Sequence, residues 1–232
     1  MYGRMRGLGI VLAVMGLLFV AGGAFAFVKT YEGYNSLQAL SAAQDVQLTY
    51  NDQGQLVDRG ETAEAQSILS LLRDDWKYPV NMADFNPNDP IVNTASEFMY
   101  QMATITFHIT HGTQNIVLPE DVTAADGTVF KAGTYEFNVD GRYFSQFDRT
   151  NPIEGKARDL AWSGTGLALI SNLGVGTATA TALQLGFGIA GLFAGMGIFA
   201  LIAGLGLVWV AQTLKEPVTK PAFQPKATAI PA

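Results

Sequence analysis

The sequence has no cysteine, only two histidines and little charge. The lack of cysteine excludes disulfides, iron–sulfur clusters, thiolate zinc sites and a cysteine nucleophile. Charged residues make up 15% of the 232 residues, against roughly 25% in an ordinary soluble domain, which indicates that part of the chain lies out of water. The net charge of −6 argues against nucleic acid as a partner, since a nucleic-acid-binding protein usually carries a basic patch.

What the sequence does have is two long stretches without charge. Residues 7–28 contain none, and neither do the 55 positions between Asp159 and Lys215. A hydrocarbon core of about 30 Å takes roughly 20 helical residues, so the first stretch fits one crossing. In the second, residues 185–211 are the most apolar and form the predicted crossing. No turn separates them from the more polar residues 162–184, which we expect to be a helix leading into the crossing from outside.

The basic residues predict the orientation. Two of them precede the first crossing and three follow the second: Arg4, Arg6, Lys215, Lys220 and Lys226. Residues 29–182 hold 9 basic and 19 acidic side chains. Because basic residues favour the cytoplasmic side, both termini are predicted to be cytoplasmic in a multi-pass cell-membrane protein.

The expected fold class is α+β, with two transmembrane helices flanking an extracytoplasmic α+β domain and the second helix extended outward. The predicted organisation is a cytoplasmic N-terminus at 1–6, a first transmembrane helix at 7–28, the extracytoplasmic domain with its membrane-proximal helix at 29–183, a second transmembrane helix at 184–212, and a proline-rich cytoplasmic tail at 213–232.

A cleaved signal peptide is the alternative for the N-terminus. Arg4 and Arg6 form a short basic region, and Ala24-Phe25-Ala26 resembles a cleavage site. The apolar run is longer than the usual signal core of about 7–15 residues, which favours a retained helix.

Local patterns predict the elements of the outer domain. Residues 34–45 are expected to be a short helix, and residues 46–50 and 55–59 a β-hairpin. A helix over 61–76 would bury one stripe. The members of that stripe are Ala65, Leu69, Leu72 and Trp76.

A second outer helix is predicted to begin near Asp89. Asp89 could cap it with Pro90 in its first position, and Thr94 and Glu97 match a capping box just inside. Residues 104–110 alternate like a strand, but Gly112 could equally end a helix, which we favour there.

Strands are predicted at 115–118, 128–131 and 134–139, with turn signals between them. Asn151, Pro152 and Glu154 form a strong helix start, with an N-cap, a proline in the first turn and a capping box. We expect that helix to run toward the membrane.

The two histidines are the first candidate for chemistry. On a helix, His108 and His111 would share a face with Glu97, Gln101 and Thr104, and such a line could hold a metal. An ordinary hydrogen-bonded polar face is the favoured interpretation, so the metal ligands are unknown. Asp84, Asn86 and Asn88 match the start of a calcium loop, but its glycine and its last ligand are missing, which favours an Asx turn.

No catalytic motif is present, so we expect no enzyme activity, no catalytic residue and no cofactor. The second crossing carries closely spaced glycines, Gly188, Gly191 and Gly195, beside a strip formed by Ala190, Ala194 and Gly197. Small residues let helices approach closely in lipid. The favoured partner is the first crossing, through Gly16, Gly22 and Gly23. Another subunit is the alternative.

Residues 143–176, followed at once by a glycine-rich crossing, resemble a group of uncharacterised bacterial proteins, mainly actinobacterial. The shared pieces are Phe147-Asp148-Arg149, Pro152 and Ala157-Arg158. The resemblance implies two transmembrane helices around an outer domain. Some of the group are labelled aromatic ring-opening dioxygenases. That activity needs an iron site, which the histidine pair alone does not offer, so the activity is not carried over to this chain.

The sequence therefore predicts a two-pass membrane protein that is an accessory or scaffold subunit of a larger assembly. Its expected partners are the lipid bilayer and other membrane subunits, with a homo-oligomer also possible. The alternative is a membrane-anchored ectodomain that binds a ligand or metal.

Overall fold

The computed structural model describes residues 2–214, which form two compact units. The first comprises residues 2–30 and 186–214, and the second comprises Tyr31–Leu185. The predicted cytoplasmic tail from residue 215 onward, with its three lysines, lies outside the described residues.

Two long helices dominate the secondary structure. Helix α1 spans Tyr2–Gln44 and helix α5 spans Gly164–Thr213. Both are long and apolar enough to cross a membrane, and only 11% of the most apolar window of each is buried. At 1.5 Å per residue they measure about 65 and 75 Å, so each exceeds a hydrocarbon core of about 30 Å.

The surface of the first unit is apolar. Leu17, Phe25, Phe199 and Ile202 are each more than 60% exposed. A soluble protein rarely exposes a contiguous apolar surface of this kind. The two helices are therefore compatible with a membrane protein.

The predicted separate helix at 34–45 is wrong, because α1 continues through it from Tyr2 to Gln44. The helix ends where Asp45 adopts a left-handed backbone with φ of 49°. The sequence offers no proline or cap near residues 29–34 to stop the helix. By contrast, residues 162–184 were expected to lead without a turn into the second apolar segment, and α5 runs unbroken from Gly164 to Thr213.

The second unit contains the predicted hairpin. Strands β1 (Thr49–Tyr50) and β2 (Leu56–Val57) pair antiparallel. Helix α2 (Thr62–Ser70) follows and closes with a π-helical turn, Leu71–Asp75. The stripe was correctly predicted, since Ala65, Leu69 and Leu72 are at most 1% exposed and Trp76 packs against the same core.

Helix α3 spans Ala95–Thr110. It includes residues 104–110, for which the sequence left both helix and strand open. Thr94 is its N-cap and forms the predicted capping box with Glu97, whereas the predicted N-cap at Asp89 is wrong. The Asp89 backbone instead closes a turn onto Asn86. Residues 104–110 are helical, as favoured. A short 3₁₀ turn, Met82–Asp84, precedes α3.

The remaining strands form two small antiparallel ribbons. Strand β3 (Thr113–Leu118) pairs with β6 (Gly133–Asn138), and β4 (Val122–Thr123) pairs with β5 (Val129–Phe130). Three of these strands were predicted. Strand β4 was not, because two residues are too few to show alternation.

Helix α4 (Pro152–Ala161) begins as predicted, with the Asn151 side chain accepting from the backbone N–H groups of Ile153 and Glu154. The capping-box role of Glu154 is wrong, however. Its carboxylate accepts from Arg142 at 3.0 Å and from the N–H of Asp148 at 2.8 Å. Glu154 therefore ties α4 to the preceding loop, which contains a 3₁₀ turn, Phe144–Gln146.

Two buried clusters hold the second unit together. One lies among α2, α3 and the β1–β2 hairpin, around Ile68, Leu72 and Ala103. The other packs α4 against one face of the β3–β6 ribbon, around Ile116, Leu118 and Ala157. The first cluster lies beside the polar side chains that follow.

Candidate functional site

A cluster of partly buried polar side chains links the β1–β2 hairpin to helix α3. We call it the polar cluster. Its members are Tyr50, Asp58, Glu97, Tyr100 and His108. Strand β1 supplies the first, the turn after β2 the second, and α3 the other three. Local backbone structure thus positions every member.

Asp58 and His108 contact each other within the polar cluster. His108 Nε2 lies 2.8 Å from Asp58 Oδ2, with the side chains 24% and 13% exposed. A tight turn holds Asp58, since its backbone exchanges hydrogen bonds with Glu61 across Arg59 and Gly60, both at positive φ. This pair fastens the hairpin to α3.

Glu97 is 1% exposed and is committed to the start of α3. Its Oε2 accepts from the N–H of Asn93 at 3.0 Å, and from the N–H and hydroxyl of Thr94, both at 2.9 Å. Burial raises the pKa of Glu97, and these hydrogen bonds oppose the rise. Its carboxylate therefore serves as a cap.

Two tyrosines line the same region with hydroxyls that are buried. Within the described residues, neither the Tyr50 nor the Tyr100 hydroxyl has a hydrogen-bond partner. Burial, reinforced by the negative charges of Glu97 and Asp89, raises the pKa of Tyr50 to about 12. Burial also raises the pKa of Tyr100, with Asp58 as the next cause. Both tyrosines are neutral at neutral pH.

The predicted line of metal ligands does not converge. His111 stacks on Phe107 at 4.1 Å between ring centres, and its Nδ1 lies 2.9 Å from the Phe107 carbonyl oxygen. Thr104 donates to the Tyr100 carbonyl. Among residues 2–214, no three His, Asp or Glu side chains form a group that could hold a metal.

The calcium-like residues are used in turns, as favoured from the sequence. Asn86 Oδ1 accepts from the N–H of Asn88 at 3.0 Å, which is an Asx turn. Asp84 Oδ1 accepts from the Asn81 amide at 2.6 Å. These side chains shape the loop before α3.

A second candidate site is the contact between α1 and α5 within the first unit. Gly9 meets Gly204, Gly16 meets Gly197, and Gly23 meets Ala190. An added Cβ at any of the five glycines would lie 2.5–3.0 Å from backbone atoms of the other helix. The spacing is seven residues on each helix, so the small residues fall on one side of each.

The predicted contact face was therefore partly wrong. Gly16 and Gly23 do pack against the strip containing Ala190 and Gly197, as the intramolecular interpretation required. The closely spaced set does not take part, because a Cβ added at Gly188, Gly191 or Gly195 would meet nothing within 4 Å. At 3.6 residues per turn, that set lies on a different side of α5.

Comparisons with known proteins identify no relative. No family model, curated protein or solved structure matches this chain. Two features of the described residues bear on function. The polar cluster holds the β1–β2 hairpin against α3, and α5 carries a second face of small residues.

Sequence reasoning missed Tyr50, Asp58 and Tyr100 as members of the polar cluster, because their neighbours in space are distant in sequence. It also missed the seven-residue glycine spacing. That signal was present in the sequence, since Gly9, Gly16 and Gly23 repeat as regularly as Ala190, Gly197 and Gly204.

Proposed function

We propose that this chain is an accessory or scaffold subunit of a larger membrane assembly, with its main domain outside the cytoplasm. Lipid and the helices of other membrane proteins are its partners. The chain crosses the bilayer twice, at residues 7–28 and near 185–211, with both termini in the cytoplasm. No ionisable residue falls inside either segment, which disfavours an ion or proton path.

The observation that carries the proposal is the uncovered small-residue face of α5. Ala190, Gly197 and Gly204 already contact α1 inside the chain. Gly188, Gly191 and Gly195 lie on a different side with open space around them. In lipid, small residues stabilise a structure most where another helix packs closely against them. A partner helix packed on this side of α5 therefore accounts best for these small residues.

The length of the helices supports the same assignment. Each exceeds a hydrocarbon core by about 35–45 Å. The first charge after the uncharged stretch of α1 is Lys29, so most of the excess of this helix falls at residues 29–44. These residues lie in water, as does the acidic second unit, which begins at Tyr31. The soluble surfaces of a partner can reach this unit there.

The test replaces Gly191 and Gly195 with Leu. Because these positions do not contact α1, the helix pair should stay intact while bulky side chains block a partner helix. Met196→Phe is the matched control, since it adds bulk at an exposed position on a different side of α5. After mild detergent extraction, we expect the double Leu variant to migrate as a smaller species on a native gel and the control to migrate as wild type.

Mass spectrometry of the wild-type band would identify the co-migrating subunits. An unchanged set of co-purifying proteins in the double Leu variant would refute the accessory role.

The topology has its own test, because the chain contains no cysteine. Thr123→Cys lies in exposed β4, and Tyr2→Cys lies at the start of α1. A membrane-impermeant thiol reagent added to intact cells should label position 123 and spare position 2. Labelling of position 2 alone would show that the orientation is the opposite of the one proposed.

A further inference from the structure

The β3–β6 ribbon has an unpaired edge whose hydrogen-bonding groups can be assigned. The N–H of Val139 donates to Gly112 and that of Gly141 donates to Thr110. The register continues this pattern, with Gln114 opposite Phe137 and Ile116 opposite Tyr135. Even-numbered residues of β3 therefore bond to β6, and the backbone groups of odd-numbered residues point away from it.

The odd-numbered residues of β3 carry no charge. They are Thr113, Asn115 and Val117, all exposed, and Val117 is 62% exposed. Within the described residues this sheet has only two strands. Proteins usually protect a free edge with lysine, proline or an inward charge. The strand carries none of these residues itself, and the lysine that reaches its edge, Lys156 from α4, makes only a long 3.4 Å contact to the Val117 carbonyl. The other edge groups of this six-residue strand form a template for another strand.

The two edges of the ribbon differ. The free edge of β6 has the exposed Glu136 at its centre, directly opposite Asn115 across the ribbon. Two β6 edges brought together would place like charges face to face, which destabilises pairing. The β3 edge has the neutral Asn115 at its corresponding central position. Self-association is thus blocked at one edge and permitted at the other.

A groove runs beside the β3 edge, between the strand and α4. It has a volume of about 380 Å³ and is lined by Asn115, Ile116, Val117, Lys156, Asp159 and Leu160. Lys156 contributes one positive charge and Asp159 one negative charge, so the groove is neutral in a chain with a net charge of −6. Leu160 is 51% exposed and adds apolar surface.

We propose that the β3 edge pairs with the β3 edge of a second copy of this chain, antiparallel, about a two-fold axis at Asn115. Thr113 then lies opposite Val117 of the second copy, and Asn115 opposite Asn115. The result is a four-stranded sheet in the order β6-β3-β3-β6. This interface is separate from the face of α5 described above and does not depend on the accessory role.

A second copy fits this edge for three reasons. A two-fold interface needs a self-complementary surface, and an antiparallel strand edge centred on one residue is self-complementary. The groove carries no net charge, so it adds no repulsion where the two copies would meet. Lys156 Nζ contacts the Val117 carbonyl at 3.4 Å, a long contact that leaves this oxygen able to accept from an incoming N–H, since a carbonyl has two lone pairs.

The test uses the absence of cysteine in the full chain, in native membranes. Asn115→Cys would place two thiols on a hydrogen-bonded pair with Cα atoms about 5.5 Å apart, within the range of a disulfide. Mild oxidation should give a covalent dimer. Glu136→Cys is the matched control, exposed on the other edge of the same ribbon, and should remain monomeric.

A mixture of Thr113→Cys and Val117→Cys chains tests the register. We expect it to cross-link several-fold more than either variant alone. Equal cross-linking of the Asn115→Cys and Glu136→Cys variants would overturn the proposal. So would the absence of any cross-link in the Asn115→Cys variant, a result that would leave a strand from a different protein as the occupant of the edge.

Asn115→Pro gives an independent check. The N–H of residue 115 points away from β6, so proline removes an edge donor while the β3–β6 ladder keeps its bonds. We expect this variant to lose the dimeric species on a native gel while retaining the wild-type circular dichroism spectrum. A dimer that persists in the folded variant would contradict the proposed pairing.

Discussion

Gly16 and Gly197 approach each other so closely that neither position has room for a side chain. A Cβ on Gly16 would lie 2.7 Å from the Gly197 carbonyl oxygen, and a Cβ on Gly197 would lie 2.7 Å from the Gly16 carbonyl oxygen. Both obstacles are backbone atoms, so they cannot turn aside as a flexible side chain could. The two helices meet at backbone distance, and their packing depends on glycine.

Replacing Gly197 with Leu should therefore destabilise the helix pair. Overpacking of a tight contact costs about 1–3 kcal/mol, and here the helices must separate to admit the side chain. Thermal unfolding in detergent would show a lower midpoint. Gly7→Leu is the control, because a Cβ at Gly7 meets nothing within 4 Å while leucine brings the same gain in helix propensity. Equal midpoints for the two variants would contradict the contact.

Glu97→Gln should change how stability depends on pH. Burial raises the folded-state pKa of Glu97 above its ordinary value of 4.5, so the folded protein binds this proton more readily than the unfolded chain. The stabilisation is fully present below the unfolded-state pKa and is lost as pH rises through the folded-state pKa. Glutamine keeps an acceptor oxygen for Asn93 and Thr94 without the charge.

We accordingly expect the Glu97→Gln variant to gain stability relative to wild type as pH rises above the ordinary glutamate pKa of 4.5. Denaturant unfolding at several pH values would measure the difference. Glu120→Gln, at an exposed loop position, is the control and should follow the wild-type curve. A difference between the Glu97→Gln variant and wild type that stays constant with pH would count against the raised pKa.

Tyr50→Phe should leave stability unchanged or raise it by up to about 1 kcal/mol. A buried hydroxyl without a partner costs free energy, and phenylalanine removes it. Tyr135→Phe is the contrasting variant, because the Tyr135 hydroxyl donates to the Lys131 carbonyl at 2.8 Å, and its loss should lower stability slightly. Chemical unfolding of both variants at neutral pH provides the comparison.

Tyr50 also makes the stability of the folded protein depend on pH in alkaline solution. The unfolded chain ionises Tyr50 near its ordinary pKa of 10.0, and the folded chain does so only at a pKa of about 12. Wild type therefore loses stability as pH rises through that interval. The Tyr50→Phe variant should lose less, and an identical decline in both proteins would disprove the assignment.

His108→Ala should loosen the β1–β2 hairpin. It removes the 2.8 Å contact to Asp58 and leaves a carboxylate that is only 13% exposed without that partner. We expect a loss of about 1–2 kcal/mol and faster amide hydrogen exchange in residues 49–57. His111→Ala is the control, since His111 is exposed and its ring bonds within its own helix turn, to the Phe107 carbonyl. Unchanged exchange in the His108→Ala variant would show that other contacts hold the hairpin.

The sequence predicted those parts of the fold that depend on neighbouring residues. The capping box of Thr94 and Glu97 and the N-cap of Asn151 each involve side chains within three positions of the backbone they bond. The hairpin at 46–59 is equally local. Such features are encoded by short motifs, and all three are present in the structure.

Features that depend on distant residues were predicted less well. Asp58 and His108 come from separate elements, and no local pattern connects them. The close spacing of Gly191 and Gly195 suggested the wrong face of α5, because which side of a helix faces its partner depends on the register between two segments at opposite ends of the chain. The long course of α1 was missed because a change from apolar to polar residues does not itself end a helix.

The seven-residue repeat of small residues also makes the pairing of α1 and α5 degenerate. A slide of one helix by seven residues, about 10.5 Å, would bring Gly16 onto Gly204 and Gly23 onto Gly197, again glycine on glycine. The aromatic pairs do not repeat in this way: Phe19 lies 5.5 Å from Phe193 and Phe27 lies 5.6 Å from Phe187. A slide of seven residues would separate both aromatic pairs, so the rings favour the observed alignment.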